Sequence, residues 1–296
     1  MHKKQRLTRK DKIYNICIYV ISMLGIIIAL YPMYFIIIAS FSNPIEVSSG
    51  NISFWPKGFT LSGYKHLFNY KQIFVGYRNT LIYVLFGTFI SVAVNIPVGY
   101  ALSRKDLVGR KFLTWYFLIP MFFSGGLIPT YITVKNFGLL DTRLVMVLPF
   151  SVVTYYIIIA RTFFNSSIPK DLYEAAQIDG CTNMRYFFQF VLPLSKAIIA
   201  VIALWAAVGL WNAYFNALIY IQSEALKPLQ LVLRNILISS KVVSQMSTGL
   251  AAIEAKKSAT LIKYCAIVIS SAPIMMMYPF VQKYFNQGVM IGSIKG

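Results

Sequence analysis

Apolar positions along the chain gather into long blocks, and polar and charged positions gather between them. Six blocks are uncharged and long enough to cross a bilayer, which takes roughly 20 apolar residues: about 13–39, 79–103, 112–133, 144–160, 197–222 and 264–282. The fourth is the shortest. The pattern predicts an all-α membrane protein with six transmembrane helices, a cytoplasmic N-terminus (1–12), a membrane region (13–283) and a short cytoplasmic tail (284–296). Within that region, 40–76 and 223–263 are expected to be extracytoplasmic loops, and 161–196 a cytoplasmic insertion.

Composition agrees with this reading. The chain is 57% hydrophobic and only 12% charged, whereas soluble domains carry about 25% charged residues. The formal charge of +19 is not a nucleic-acid signature here, because the basic residues sit between the apolar blocks. Lys and Arg favour cytoplasmic segments. "MHKKQRLTRKDK" at the start and "RKDLVGRK" at 104–111 are therefore both placed inside, on either side of the first pair of spans. Six spans then return the C-terminus to the same side. The basic residues of 223–263 run against that orientation, although the rule weights short loops. The basic start followed by an apolar run is too long for a signal peptide and has no cleavage site, so it is expected to stay as the first span. Cys17, Cys181 and Cys265 are far apart and form no metal pattern, which suggests packing roles.

Two segments interrupt the apolar text. "PMFFSGGLIPTY" at 120–131 sets two glycines between prolines, which should kink or break the third span; the freed backbone must then be buried in protein or face water. The insertion 161–196 predicts two short helices. Pro169 and Asp171 suit a first turn, Gly180 suits a helix end, and Pro193 breaks the second helix. The first helix would set Leu172, Ala175 and Ala176 on one face, small enough for close approach to another surface, with Glu174 and Asp179 available to orient it. On residue chemistry alone, an amphipathic loop lying against lipid fits as well as a docking helix.

The segment "EAAQIDG", the later "LP" and their place before the penultimate span resemble the EAA loop of binding-protein-dependent ABC importers. Glu174, Ala175, Ala176, Gly180, Leu192 and Pro193 match that pattern, with Asp179 and Phe187 at family-typical positions. "GGLIPTYITVKNFGLLDT", "GLWNAYFNALIYI", "KPLQLVLRNIL" and "KYFNQGVMIGSIKG" resemble the carbohydrate branch that includes the maltose permease's smaller subunit, in particular its oligosaccharide and polysaccharide permeases. Lys196 departs from the family, where Pro is frequent. The resemblance implies a bacterial plasma-membrane permease subunit, with both termini cytoplasmic, that pairs with a second homologous permease. It further implies two copies of a cytoplasmic ATPase that use ATP and Mg, an extracellular solute-binding lipoprotein, and contact with membrane lipid. Leu172, Glu174, Ala175, Ala176, Asp179 and Gly180 would then couple the ATPase to alternating access. This chain itself would bind no cofactor, metal or nucleic acid and have no catalytic residue.

An oligosaccharide pathway needs aromatic rings for CH faces and amides for hydroxyls. Asn95, Asn212, Asn216, Trp211, Tyr214 and Phe215 are the candidates inside the spans, with Trp205 nearby, though Asn can also join helices by hydrogen bonds. The histidines are His2 and His66, and no GxxxxGK[ST] loop is present, so ATP hydrolysis is expected from a partner. An importer for a polyol or oligopeptide, a self-sufficient channel or secondary transporter, and a membrane sensor are the alternative readings. The full EAA spacing argues for the importer.

Overall fold

The computed structural model describes residues 9–246 and 249–293, all helical or irregular with no strand among them; the ends of the two basic or polar tails lie outside the described residues. In chain order the helices are α1 (Arg9–Ser40), α2 (Pro44–Ser48), α3 (Ser62–Phe68), α4 (Lys71–Ser103), α5 (Arg110–Phe122) and α6 (Leu127–Asn136). There follow α7 (Thr154–Ser167), α8 (Lys170–Ile178), α9 (Asn183–Leu194) and α10 (Lys196–Trp211). The last three are α11 (Tyr214–Tyr220), α12 (Leu229–Met246) and α13 (Gly249–Ser293).

Among the described residues, three helices are long and apolar enough to cross a membrane unbroken: α1, α4 and, over Lys257–Met277, α13. The predicted third span is two helices bent by 118°, because Gly126, at φ 84°, turns the chain between Pro120 and Pro129. The predicted fourth span is shortened to the 14 residues of α7, preceded by a 3₁₀ turn at Arg143–Met146. The predicted fifth span, 197–222, breaks at Asn212 and Ala213, and α10 is bent by 79° from α9. Both loops expected to be extracytoplasmic hold helices: α2 and α3 in the first, and α12 in the second.

The chain divides into two compact units. One comprises the residues up to Tyr70 together with 236–271. Here Ile38, Ala39, Val47 and Ile52 are buried with Phe35 and Tyr264 against them. The Cys265 thiol donates to the Ser40 carbonyl at 3.4 Å, and Gly63 leaves room for its sulfur, which stands 2.6 Å from where a Cβ would be. Cys265 is thus a packing residue as expected, whereas Cys17 is exposed.

The other unit is built on α4. Its buried residues, among them Gly76, Asn79, Thr80, Tyr83, Gly87, Ser91, Asn95 and Gly99, recur at three- and four-residue steps. They are small or polar, while Leu85, Phe86 and Phe89 on the other side are exposed. Helices in membranes pack in this way, by close backbone approach and interhelical hydrogen bonds rather than by apolar stripes. A Cβ at Gly99 would stand 2.6 Å from the Ala160 Cβ of α7 and 3.0 Å from the Ile157 carbonyl. Near the start of α4, Asn79 Nδ2 donates to the Ala225 carbonyl (2.8 Å) and Tyr83 to the Leu226 carbonyl (2.7 Å). Asp141, at φ 54°, braces the turn after α6: its carboxylate accepts from the Gln222 and Ser223 amides and from the Ser223 hydroxyl.

Gly99→Val should force α4 and α7 apart, at a cost of about 1–3 kcal/mol for overpacking, and lower the thermal unfolding temperature of the solubilised protein. Gly25→Val, where a Cβ meets nothing within 4 Å, should leave that temperature unchanged.

Candidate functional site

The insertion between α7 and α10 folds as a helical elbow. Pro169 occupies the position before α8 at φ −62° and ψ 138°, where its missing N–H costs no helical bond. At the other end, Cys181 N–H bonds the Ala176 carbonyl (2.9 Å) and Gly180 N–H bonds the Gln177 carbonyl (3.0 Å). This Schellman pattern needs a left-handed residue at its turn, and Gly180 has φ 71°. Thr182 then caps α9, accepting from the Arg185 amide at 3.4 Å.

The two faces of α8 differ. Leu172, Tyr173 and Ala176 pack into the cluster formed by Ile96, Ala160, Phe164, Tyr186, Phe187 and Val191. Asp171, Glu174, Ala175 and Ile178 point away from it and are exposed. Those four positions follow the i, i+3, i+4, i+7 spacing of a single helix face. The expected grouping of Leu172, Ala175 and Ala176 is therefore split: Leu172 and Ala176 anchor the helix, and Ala175 faces outward. Asp179 and Gly180 are also exposed. Ile178, 87% exposed, belongs to the outer face and was missed in the sequence. Its signal was an apolar residue four positions after Glu174 on an otherwise polar surface.

The turn after α4 fastens this elbow. The Arg104 guanidinium lies 3.4 Å from the centre of the Tyr173 ring, an approach that favours cation–π attraction. Asp106 holds it flat with two bonds, Nε to Oδ1 at 2.8 Å and Nη2 to Oδ2 at 2.7 Å. The hydrogen bonds from Arg104 hold the Asp106 carboxyl below the usual carboxylate range, so the pair stays charged at neutral pH. Tyr173 in turn donates to Asn183 Oδ1 (2.9 Å) and accepts from Gln177 Nε2 (2.6 Å). A cavity of about 350 Å³ lies beside these groups, lined by Ser103, Arg104, Asp106, Asn165, Glu174 and Gln177 among others. Arg104 and Tyr173 were not foreseen, since their partnership joins residues far apart in the chain.

Of the pathway candidates, the structure gives Asn95 a different task. It is fully buried; Nδ2 donates to the Ser91 and Ser151 carbonyls at 2.7 and 2.8 Å, and Oδ1 accepts from the Val153 amide at 3.0 Å. Both hydrogens of its amide nitrogen are thus committed within the chain. Trp211 is buried edge-on to Tyr77, with ring centres 6.2 Å apart. Trp205 packs between Tyr155 and Tyr156. The break between α10 and α11 brings the other four together: Asn212 caps back to the Val208 carbonyl at 2.9 Å, Tyr214 and Phe215 are exposed and edge-on at 6.4 Å, and Asn216 is half-buried. Broken helices in a membrane are tolerated where they are buried in protein or line a water-filled cavity.

Residues 73–291 match the model of the family described as binding-protein-dependent transport system inner membrane component. The chain is 36% identical to the polygalacturonan/rhamnogalacturonan transport system permease protein YtcP of Bacillus subtilis (strain 168), over 97% of this chain and all of that one. It is 37% identical to Protein LplC of the same organism, over 98% and 97% of the two chains. In fold it is similar to a chain in the crystal structure of a bacterial ABC transporter involved in the import of the acidic polysaccharide alginate. The TM-score is 0.83 at 30% identity, covering 95% of this chain and all of that one.

Asn95→Leu should leave the Val153 amide and Ser151 carbonyl without partners, at about 1–3 kcal/mol each. The expected outcome is a lower unfolding temperature and poor membrane yield. A variant of normal stability that fails only in transport would return Asn95 to the solute path.

Proposed function

Because the chain belongs to the family of binding-protein-dependent transport system inner membrane components, we propose that it is one permease subunit of an ATP-driven importer for oligosaccharides. It is a multi-pass membrane protein whose relatives are transport subunits. The machine has four further parts: a second homologous permease, two copies of an ATPase that uses ATP and Mg, and an extracellular solute-binding lipoprotein. Both termini face the cytoplasm, on the side that carries α8 and the basic 104–111 turn. α1, none of whose membrane window is buried within the chain, offers its length to lipid and to the second permease.

The observation that carries this reading is the two-sided α8. A helix bolted into the core by Leu172, Tyr173 and Ala176 moves with the membrane bundle. Its opposite face of Asp171, Glu174, Ala175 and Ile178 is left for a partner, with a small residue for close approach, an apolar one to bury and two carboxylates to orient it. When the ATPase closes, force enters on that face and leaves through Arg104 and Tyr100 into α4. The solute path passes the α10–α11 break, where Asn212, Tyr214, Phe215 and Asn216 gather.

Acidic glycan fragments are the favoured substrate class. Polygalacturonan and alginate, named for two of the relatives, are both polymers of uronic acids, and exposed Lys57, Lys65, Lys71 and Lys241 suit anions in the segments outside the bundle.

Two measurements in proteoliposomes containing all subunits test this. Ile178→Glu should remove a buried contact of hot-spot size, about 2 kcal/mol, or roughly thirtyfold in ATPase affinity. Uptake should fall accordingly while membrane insertion is unchanged. Oligogalacturonides should stimulate ATP hydrolysis more than neutral maltooligosaccharides of the same length. Normal uptake by the Ile178 variant would refute the coupling role, and stimulation by neutral sugars alone would refute the acidic substrate.

A further inference from the structure

Residues 221–228 connect α11 to α12 at the end of α4 opposite the Arg104 turn, and they hold only a 3₁₀ turn at Glu224–Leu226. α4 secures one side of this segment. Asn79 Nδ2 donates to the Ala225 and Lys227 carbonyls at 2.8 and 3.1 Å, Tyr83 donates to the Leu226 carbonyl, and Thr80 Oγ1 accepts from the Leu229 amide at 2.9 Å. Asp141 secures the other side. Its carboxylate accepts from two successive amides, Gln222 at 2.9 Å and Ser223 at 2.8 Å, and from the Ser223 hydroxyl. Its own N–H donates to the Tyr220 carbonyl at 2.9 Å.

α6 depends on this joint. Within it only Val134 is buried and Tyr131 half-buried, and its other residues are exposed. Tyr131 stacks on Tyr220 with ring centres 6.0 Å apart, and Val134 belongs to the same cluster as Tyr83 and Tyr220. A helix with so few buried side chains is placed largely by what holds its end, and Asp141 follows that end closely. Among the described residues Asp141 is the only non-glycine at positive φ. That conformation crowds a Cβ and persists where the surroundings over-determine it, as the four hydrogen bonds do here. Bonds from amides to a carboxylate are charge-assisted and roughly twice as strong as neutral ones. Opening the joint would strand two amides, a carbonyl and the carboxylate together, so it is built to stay closed.

We propose that Asp141 is a positioning residue of the transport cycle, fastening α6 to the 221–228 segment through a joint that stays closed while the chain switches between its inward and outward states. About 35 Å of continuous helix separate Asn79 from the Arg104 turn. A displacement of α8 carried along α4 therefore reaches 221–228 and, through Asp141, draws α6 with it. α6 is the second half of the broken third span, which has few other attachments. Without the joint the ATPase end still turns over, but α6 no longer follows. The inference rests on the proposed coupling through α8 and α4, and it is independent of which solute is carried.

The test uses the transporter with all its subunits in proteoliposomes, this chain carrying Asp141→Cys and Ser223→Cys after its native cysteines are replaced with serine. Reduced, the variant lacks the carboxylate, and uptake should fall about tenfold or more, the loss of a hydrogen bond to a charged group, while ATP hydrolysis continues. Oxidised, a disulfide takes over the fastening, and most of the uptake should return. A damaged fold would lower hydrolysis together with uptake, and that result would overturn the proposal, as would equal uptake in the two states. Uptake abolished by oxidation and restored by reduction would overturn it too, by showing that the contact must open. Absence of the disulfide under oxidising conditions would overturn the closed contact itself. The coupling reading is judged separately, by uptake through the unaltered transporter and its Ile178→Glu variant.

Discussion

Asn95 supports a stretch of backbone that has no helix of its own. In a membrane every buried N–H and C=O needs a partner inside the protein, and the stretch ahead of α7 runs through a 3₁₀ turn and an irregular segment before its helix begins. A single amide on α4 takes the Ser151 carbonyl and the Val153 amide. This fixes where α7 starts, Gly99 fixes how near it lies, and α7 delivers the chain to α8. The placement of α8 thus follows from polar satisfaction and close packing along one face of α4.

The same helix also ends at the segment it positions. Tyr100 packs against Phe164 and Phe187, and Arg104, one turn further, lies on Tyr173. The elbow is consequently stiff on its inner side, with ring contacts and charge-assisted bonds, and free on its outer side. The breaks at Gly126 and at Asn212 leave irregular backbone within apolar segments, and in a membrane such backbone must be buried in protein or line a water-filled path.

Much of the fold was legible in the chain because membrane crossing imposes a length and a composition that any window of sequence reveals. The EAA segment was legible because its local chemistry is strict: Pro169 can precede a helix, and Gly180 can close one in the left-handed conformation. The internal breaks were harder. "SGG" announced a bend but not its 118°, and 144–153 is as apolar as a helix while the backbone at its end, at Ser151 and Val153, is satisfied by Asn95 from elsewhere. Asn95 stood among the candidates for the solute path, because an intramembrane amide has the same appearance in sequence whether it binds a sugar or a neighbouring stretch of backbone. The division of α8 into a packed and an exposed face was hidden for a related reason: alanine is equally suited to both, and only the packing of Leu172 and Tyr173 separates Ala176 from Ala175.

The account depends on the outer face of α8 being covered by an ATPase while the inner face remains buried. Single cysteines at positions 178 and 172, introduced after replacing the native cysteines with serine, report this through maleimide labelling in membranes with and without the ATPase subunit. The account predicts that position 178 labels freely in its absence and is protected in its presence, with position 172 slow in both. Undiminished labelling at 178 in the assembled transporter would contradict it.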